Sequence, residues 1–254
     1  KEAGVAAPSP DPVLSALAQD EFIELGPLGV GQFGATMRVA EGSKDGPQFA
    51  RKKIFMHGVE QAEEYRREAE HMKQLSQCPS IVRLHKTYLR PSVEIAGGFH
   101  LNIVMELCNG GDLTQFVVQH MDPTHHNSIT ETQAVGFVVD VLGALAFMHS
   151  QVPPVIHRDI KPANIFLQQQ PSGQLMAKVG DLGLAKSQEH TMTMSMAGSP
   201  KYMSPECLDG RAYNSTTDVW SLGVVMLELA GAVISTPSQV RADHEALIDA
   251  QPFS

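Results

Sequence analysis

Cysteine is scarce in this sequence, basic residues are outnumbered, and long uncharged apolar runs are missing. The three cysteines, Cys78, Cys108 and Cys207, are isolated, which argues against a disulfide framework or a zinc site and suits a reducing compartment. The 19 basic and 28 acidic residues give a formal net charge of −9, so we expect no nucleic-acid partner. The longest candidate membrane span, Val219–Leu227, is too short to cross a bilayer, so we expect no membrane partner.

What the sequence does contain is a change of pattern near its middle. Residues 1–19 are rich in Pro and Ala and predict a flexible N-terminal segment. Short β-type runs punctuated by glycine follow, then a charged helical pattern over 59–75 and two further runs of strand type. Beyond the Asn-Gly-Gly break the pattern turns helical, and a helix begins where Ser128 or Thr130 can cap it.

This order predicts an α+β protein with two lobes. A small, β-rich N-lobe with one main helix and a hinge would occupy 20–108, and a larger, mostly helical C-lobe would occupy 109–254. Two lobes joined by a hinge form a natural cleft for a ligand.

The first glycines of the strand-rich part stand in GxGxxG spacing. Gly29, Gly31 and Gly34 lack a Cβ, so their backbone can approach a phosphate and present N–H groups to it. Glycines also serve ordinary turns, and the spacing alone does not decide between these interpretations. A dinucleotide-binding fold needs a helix directly after the glycines, whereas the following ATMRVA has a strand pattern. A glycine-rich hairpin over a nucleotide fits better.

The next strand carries Lys52 and Lys53, whose side chains must point to opposite faces. Only one of the two can therefore face a ligand. The helix predicted after this strand carries Glu63, Glu64, Glu68 and Glu70 among its glutamates, and most of these are expected at the surface. We select Glu68 as the partner of Lys52, because apolar residues on the same side turn that face inward: Tyr65, Met72 and Leu75.

The segment VIHRDIKPANIFL, residues 155–167, places Asp159, Lys161 and Asn164 between apolar flanks. A polar turn between two buried strands would account for this pattern. A base, a cation and a metal ligand on one loop would also account for it. Carboxylate and amide oxygens suit Mg²⁺, and phosphoryl transfer needs positioning and charge neutralisation more than covalent help.

Six motifs stand in order along the chain. The GxGxxG glycines are followed by FARK, the helix with Glu68, HRDIKPAN, GDLG at 180–183 and SPE at 204–206. This set resembles the signature of the eukaryotic protein kinases. The phrases MELCNGGDL, HRDIKPANIFL, KVGDLGLAK and GSPKYMSPE are most similar to those of the NIMA-related serine/threonine kinases.

The resemblance implies a two-lobed protein-kinase fold that transfers the γ-phosphate of ATP to Ser or Thr hydroxyls of protein substrates. It makes Asp159 the group that orients the hydroxyl and accepts its proton. Lys161 would offset charge on the transferred phosphate. Asn164 and Asp181 would be the ligands of Mg²⁺.

The resemblance also implies positions for the nucleotide. Lys52, fixed by Glu68, would hold the α- and β-phosphates, and Met105 would guard the back of the adenine pocket. Gly29, Gly31 and Gly34 would form the glycine loop, and Glu106 and Cys108 would form the hinge. Val30, Ala50 and Phe166 would enclose the adenine base, and Asp112 would contact the ribose.

Regulation is implied by Arg158 and by the hydroxyl-rich segment 187–199. A phosphate on Ser195, or second on Thr193, would pair with Arg158 and order this segment. The resemblance also implies an internal column with Asp218 at its foot: Met72, Leu84, His157 and Leu182.

Three positions depart from the family pattern. Thr36 stands where Val usually lies above adenine, and Leu182 replaces the Phe of DFG. Arg51 stands where Ile or Val is common, and strand alternation assigns it to the surface. None of these changes removes a catalytic group.

The end of the chain departs further. Residues 218–233 are apolar around nearly the whole helical circumference, with Glu228 the one interior charge, which predicts a buried helix. In the family further helices cover it. We therefore expect a C-lobe that is incomplete at its C-terminal end, with one flank of this helix exposed. Glu206 would then lack its usual arginine, unless Arg241 reaches it.

Two alternatives to an active kinase stay open. One is a kinase-like scaffold that binds nucleotide without turnover, and the other is a truncated fragment with little activity. By resemblance the protein is intracellular and cytoplasmic, with the cytoskeleton and the nucleus as further locations. No pattern in the sequence indicates an oligomeric state.

Overall fold

The computed structural model describes residues 21–31, 34–57, 73–92, 95, 98–120, 129–182, 186–187 and 199–230. The chain divides into two compact units, which are described separately: Lys1–Gln74 with Arg83–Leu107, and Leu75–Val82 with Cys108–Ser254. Several predictions concern residues outside the described ranges: the flexible segment 1–19, the incomplete end after residue 230, Glu68, Met72, Thr193, Ser195 and Arg241. Of the helix predicted over 59–75, only 73–75 are described, and they are helical.

The first unit is a five-stranded antiparallel sheet, as its strand patterns predict. Its strands are β1 (Phe22–Gly31), β2 (Gly34–Glu41), β3 (Gln48–Met56), β4 (Leu84–Pro91) and β5 (Phe99–Glu106). Their order across the sheet is β1-β2-β3-β5-β4. β2 and β3 are joined by the loop EGSKDGP at residues 41–47, in which the Glu41 N–H donates to the Pro47 carbonyl at 3.0 Å.

Each face of this sheet carries its own apolar cluster, because side chains alternate along the strands. The cluster on the Arg51 face, called here the aromatic cluster, consists of Phe22, Met37, Val39, Phe49, Tyr88 and Val104. The cluster on the Lys52 face consists of Ile54, Met56, Leu89, Phe99, Leu101 and Ile103.

The prediction that Arg51 lies at the surface is wrong. Its exposed fraction is 1 %. Alternation does place Arg51 on the face opposite Lys52, but the aromatic cluster covers that face. The guanidinium donates to Glu24 and to the Tyr88 hydroxyl, which compensates for its burial.

The second unit contains the helical elements. They are α1 (Leu113–His120), α2 (Glu131–His149), α3 (Pro205–Leu208) and α4 (Thr216–Leu229), with 3₁₀ turns at Pro162–Asn164 and Pro200–Tyr202. Two short antiparallel pairs join them: β6 (Val155–Ile156) with β9 (Lys186–Ser187), and β7 (Ile165–Gln169) with β8 (Leu175–Val179).

The N-terminus of α2 follows the predicted capping pattern. Thr130 is the cap, and its hydroxyl accepts the Gln133 N–H at 3.2 Å, while the Gln133 side chain accepts the Thr130 N–H at 3.1 Å. This reciprocal pair is a capping box. The second of the two candidate caps, rather than Ser128, therefore begins the helix.

By length and apolar composition, α2 is the one described helix that could cross a membrane. The prediction that Val219–Leu227 is the longest candidate span is therefore wrong, because α2 is longer and contains the single charge of Asp140 after its first turn. One such helix is weak evidence, because core helices pass the same test. The buried side of α2 is formed by Phe137, Val141, Ala144, Leu145 and Met148.

Asp140 joins α2 to the edge of β8, because its carboxylate accepts the Ala177 N–H at 2.8 Å. Burial raises the pKa of Asp140, and the hydrogen bond from Ala177 opposes this rise. Ionisation of Asp140 therefore costs stability. This cost is absent below the unfolded-state pKa and grows as the pH rises through the folded-state pKa.

We expect Asp140→Asn to keep the acceptor and remove this pH dependence. Measured by urea denaturation, its stability relative to the parent chain should rise as the pH rises above about 4, the ordinary pKa of Asp. Asp140→Leu should instead cost about 1–3 kcal/mol at every pH, because it leaves the buried Ala177 N–H unpaired. If Asp140→Asn lost as much stability as Asp140→Leu at every pH, the hydrogen bond from Ala177 to residue 140 would not have the role assigned to it.

α4 runs from Thr216 to Leu229 with Ala230 as its C-cap, and the predicted helical residues 231–233 lie outside the described ranges. Its buried side includes Asp218, Leu222 and Val225. Its opposite flank is about half exposed at Val219 and Met226, with fractions of 50 % and 47 %.

Candidate active site

The loop between β6 and β7 brings together the three polar residues predicted to do chemistry. Lys161 Nζ lies 2.7 Å from Asp159 Oδ2, and Asn164 Nδ2 donates to the same oxygen at 2.8 Å. Asn164 Nδ2 also donates to the Asp159 carbonyl at 2.7 Å. A turn that only joined two strands would not need a cation and an amide on one carboxylate oxygen. The arrangement therefore favours a chemical function for this loop.

Asp218 of α4 anchors this loop through hydrogen bonds, and its side chain is 1 % exposed. Its Oδ2 accepts the His157 N–H at 2.9 Å and lies 2.8 Å from His149 Nε2, and its Oδ1 accepts the Arg158 N–H at 2.9 Å. Arg158 has a φ of 70°, a left-handed conformation that costs about 1–3 kcal/mol for a non-glycine residue. The bonds to Asp218 hold this strained residue directly before Asp159.

His157 connects the loop to the chain that follows β8. The Asp159 N–H points at His157 Nδ1 at 3.2 Å, so Nδ1 is the acceptor of the ring. The proton is therefore assigned to Nε2, which lies 2.9 Å from the Gly180 carbonyl. His157 is fully buried and thus fixes Asp159 relative to the Gly180–Asp181 segment.

The β7–β8 hairpin brings the two predicted metal ligands to its open end. Asn164 precedes β7, Asp181 follows β8, and the Gly180 N–H donates to the Asn164 carbonyl at 2.9 Å. Gly180 leaves room for the Phe166 ring, since a Cβ there would lie 2.7 Å from it. The described residues contain no cluster of three or more His, Cys, Asp or Glu that could hold a metal. A site that binds Mg²⁺ together with phosphate needs only one or two such carboxylates.

Other predicted nucleotide positions in the second unit have clear local roles. The Asp112 carboxylate accepts the Gln115 N–H at 2.9 Å and so caps α1, and the Asp112 backbone pairs with Phe166. Gly110 must be glycine, because a Cβ would lie 2.7 Å from the Leu167 carbonyl. Cys108 is half-buried.

The first unit positions the predicted phosphate-binding groups on one face of its sheet. Lys52 is 8 % exposed, whereas the Lys53 side chain is 40 % exposed and lies 3.4 Å from Glu24. The two lysines thus differ as predicted from their opposite faces. Thr36 pairs with Lys52, and Gly29 pairs with Thr36.

The remaining positions of the first unit are set by backbone pairing. Gly34 has a φ of 133°, and a Cβ there would lie 1.9 Å from the Lys53 carbonyl, so this glycine is required. Met105 pairs with Ala50. Glu106 is tied to Arg83, whose carbonyl accepts the Glu106 N–H at 2.9 Å and whose N–H donates to the Glu106 carboxylate at 2.7 Å. Val30 pairs with Ala35.

Sequence reasoning missed the partners of Glu228. Its carboxylate accepts hydrogen bonds from Lys201 and from the Tyr202 hydroxyl, the latter at 3.1–3.2 Å. Burial, and then the negative charge of Glu228, raise the pKa of Tyr202 well above its ordinary value. Because Glu228 is the one charge within an apolar helix, the sequence indicates that its carboxylate needs a partner. The position of Glu228 in the sequence does not identify that partner.

Comparison with known proteins agrees with this geometry. The family model described as protein kinase domain matches residues 22–251. Serine/threonine-protein kinase Nek1 of Toxoplasma gondii is 35 % identical over 228 residues, which cover 84 % of this chain and 14 % of that protein. Probable serine/threonine-protein kinase nek2 of Dictyostelium discoideum is 33 % identical, with 83 % and 48 % covered. Serine/threonine-protein kinase Nek4 of Mus musculus is 36 % identical, with 80 % and 24 % covered.

The chain spans less than half the length of each of these relatives. Their printed names agree with the NIMA-related motifs in the sequence. The chain belongs to the protein kinase domain family, and it is most like the NIMA-related serine/threonine kinases.

Proposed function

We propose that this chain transfers the γ-phosphate of ATP to Ser or Thr hydroxyls of protein substrates. The observation that supports it is the Asp159 cluster. In this cluster Lys161 and Asn164 share one carboxylate oxygen, on a loop anchored by Asp218. The relatives named above carry the same activity in their names.

Asp159 has one oxygen engaged by Lys161 and Asn164, and no hydrogen bond to Oδ1 occurs among the described residues. In the proposed reaction this carboxylate orients the substrate hydroxyl and accepts its proton. The hydroxyl oxygen forms a bond to the γ-phosphorus, and the bond from that phosphorus to the bridging oxygen of ADP breaks. The products are a phosphoester, ADP and a proton on Asp159. Lys161 places a positive charge where negative charge develops.

Mg²⁺ fits the donor set at the open end of the β7–β8 hairpin. Asn164 uses its Nδ2 for Asp159, so its Oδ1 is the side-chain atom suited to a cation. Asp181 adds a carboxylate and is held in a left-handed conformation with a φ of 54°. Held by Asn164 and Asp181, Mg²⁺ would supply positive charge that offsets the charge of the phosphates.

By likeness to the family, we assign nucleotide-binding roles to residues of each unit. We assign the α- and β-phosphates to Lys52 and Glu68, and the close backbone contacts to Gly29, Gly31 and Gly34. Gly34 supports this assignment because its φ excludes other residues. Adenine would lie against Val30, Ala50 and Phe166, near the hinge residues Glu106 and Cys108, behind which lies Met105. Asp112 would reach the ribose.

The direct test is phosphate transfer from Mg²⁺–ATP to a generic Ser/Thr protein, with nucleotide binding measured in parallel by calorimetry. Transfer to Ser or Thr supports the proposal. Binding without transfer would identify a nucleotide-binding scaffold instead, and neither binding nor transfer would identify an inactive fragment. By likeness to the NIMA-related kinases, we place the activity in the cytoplasm, with the cytoskeleton and the nucleus as further locations.

Regulation by phosphate at Ser195, or second at Thr193, is part of this proposal. Arg158 supports it, since its guanidinium lies 5.3 Å from the centre of the Tyr213 ring and its buried Nε has no hydrogen-bond partner among the described residues. Arg158 is thus a cation suited to a phosphate.

We expect Ser195→Ala to lower transfer by about fivefold or more, and mass spectrometry of active protein to find phosphate at this residue. Ser172→Ala, at the tip of the β7–β8 hairpin, is the control. Full activity of the Ser195 variant, with no phosphate found in this segment of the parent chain, would contradict the proposal.

A further inference from the structure

Arg51 lies in the middle of the five-stranded sheet and is almost completely buried. Its cross-strand neighbours are Met37 on β2 and Val104 on β5, and both belong to the aromatic cluster. A guanidinium stays charged at any ordinary pH, and a buried charge is costly unless it is paired and hydrogen-bonded. The hydrogen-bond partners of Arg51 therefore stabilise its buried charge, and their positions in the sheet decide which strands Arg51 connects.

Two hydrogen-bond partners of Arg51 lie on the two edge strands of the sheet. Nη2 donates to Glu24 of β1, and Nη1 donates to the Tyr88 hydroxyl of β4 at 3.2 Å. Neither strand is a neighbour of β3, since the order is β1-β2-β3-β5-β4. One side chain thus connects the central strand to both edges. A planar guanidinium can bond in two directions at once, whereas a lysine ammonium is a single point charge.

The contact between Glu24 and Arg51 fixes β1 just before its pairing with β2 becomes irregular. Glu24 is the last residue paired regularly with β2, opposite Val39, before two register shifts that lead to Gly29. The irregular stretch between Glu24 and Gly29 leads into the glycine hairpin. On β3, Arg51 is adjacent to Lys52, which points to the other face. The contact between Arg51 and Glu24 therefore links the start of the hairpin to the strand that carries Lys52.

We propose that Arg51 is a positioning residue for ATP. Through Glu24 and Tyr88 it fixes the glycine hairpin relative to Lys52, and this sets the affinity for the nucleotide phosphates. The inference rests on the proposed function, because the hairpin and Lys52 matter together only if they bind a nucleotide.

Arg51→Met should raise the KM for ATP about tenfold, since small displacements of binding groups are costly. The KM for the protein substrate should not change. Glu24→Met should change the KM for ATP in the same direction, and the double variant should be no worse than Arg51→Met, which already lacks the contact between Arg51 and Glu24. Lys53→Met is the matched control. It removes a cation that also contacts Glu24 but is exposed, and it should leave both KM values unchanged.

A purely structural role would give a different result. It would lower the fraction of folded, active protein, and therefore kcat, while the KM for ATP stayed at the parent value; this outcome would overturn the proposal. If Arg51→Met does not fold, Glu24→Gln and Tyr88→Phe are measured in the same way. Glu24 is 44 % exposed and tolerates a neutral isostere.

Calorimetric binding of Mg²⁺–ATP separates this inference from the proposed function. If the parent chain binds Mg²⁺–ATP but transfers no phosphate, the proposed function fails, while a weaker Kd of the Arg51 variant still supports the positioning role. An unchanged Kd in the Arg51 and Glu24 variants would overturn the positioning role, whatever the activity of the parent chain.

Discussion

Asp159→Asn is expected to lower phosphate transfer by about 10²–10⁴-fold, the usual contribution of a general base. Asparagine has nearly the same shape and can still bond to Lys161 and Asn164, which now share Asp159 Oδ2. It cannot accept the proton of the substrate hydroxyl. The loss should therefore fall on kcat, measured as the initial rate of phosphate transfer at saturating Mg²⁺–ATP.

Asp209→Asn is the matched control for this change. Asp209 lies in the same unit, is 38 % exposed at its side chain and pairs with Arg211, so its loss should change transfer by less than about twofold. Calorimetry should show that the Asp159 variant still binds Mg²⁺–ATP. A folded Asp159→Asn protein with the parent rate would exclude Asp159 as the base.

Lys52→Met is the second change with a large expected effect. Lys52 is a buried cation on β3, and methionine preserves most of its volume and its apolar stem. We expect transfer to fall by about 10²–10³-fold, because one preorganised electrostatic contact to the α- and β-phosphates is lost. The measurement is kcat and the KM for ATP, together with the urea midpoint as a check of folding.

Lys53→Met is the control for Lys52→Met, since it removes the same charge from the next residue on the opposite face. Its exposed side chain forms an ion pair with Glu24 at 3.4 Å, and surface pairs of this kind contribute little. Equal losses in the two variants would mean that general charge, rather than the position of Lys52, matters.

The parts of the fold that sequence could predict are those encoded locally. Thr130 and Gln133 stand at the spacing of a capping box, and the helix begins at Thr130. The opposite faces of Lys52 and Lys53 follow from the two-residue period of a strand. The loop at 155–167 combines residue types and spacing that few other functions use, and the structure places its polar groups on one oxygen.

The parts that sequence could not predict depend on contacts between distant segments. Alternation identified the face of Arg51, but whether that face is covered depends on Phe22 and Tyr88, which come from other strands. Glu228 similarly finds its partners in the turn at 200–202. Asp140 accepts a hydrogen bond from a backbone N–H of β8, which lies 37 residues further along the chain. The partners of Arg51, Glu228 and Asp140 lie at no characteristic number of residues away, so no sequence pattern identifies them.

The β7–β8 hairpin offers a position where residues can be inserted into this chain without moving Asn164 and Asp181. Pairs run from Ile165 opposite Val179 to Gln169 opposite Leu175, and the tip is closed by the Gln170 N–H on the Gln174 carbonyl at 2.8 Å. One residue inserted within either strand would turn the following side chains to the opposite face. Residues added at the tip would lie at the end away from Asn164 and Asp181, and each doubling of a loop costs only about 0.6 kcal/mol. The tip is therefore the place to insert a peptide tag or a fluorescent reporter while the metal ligands keep their spacing.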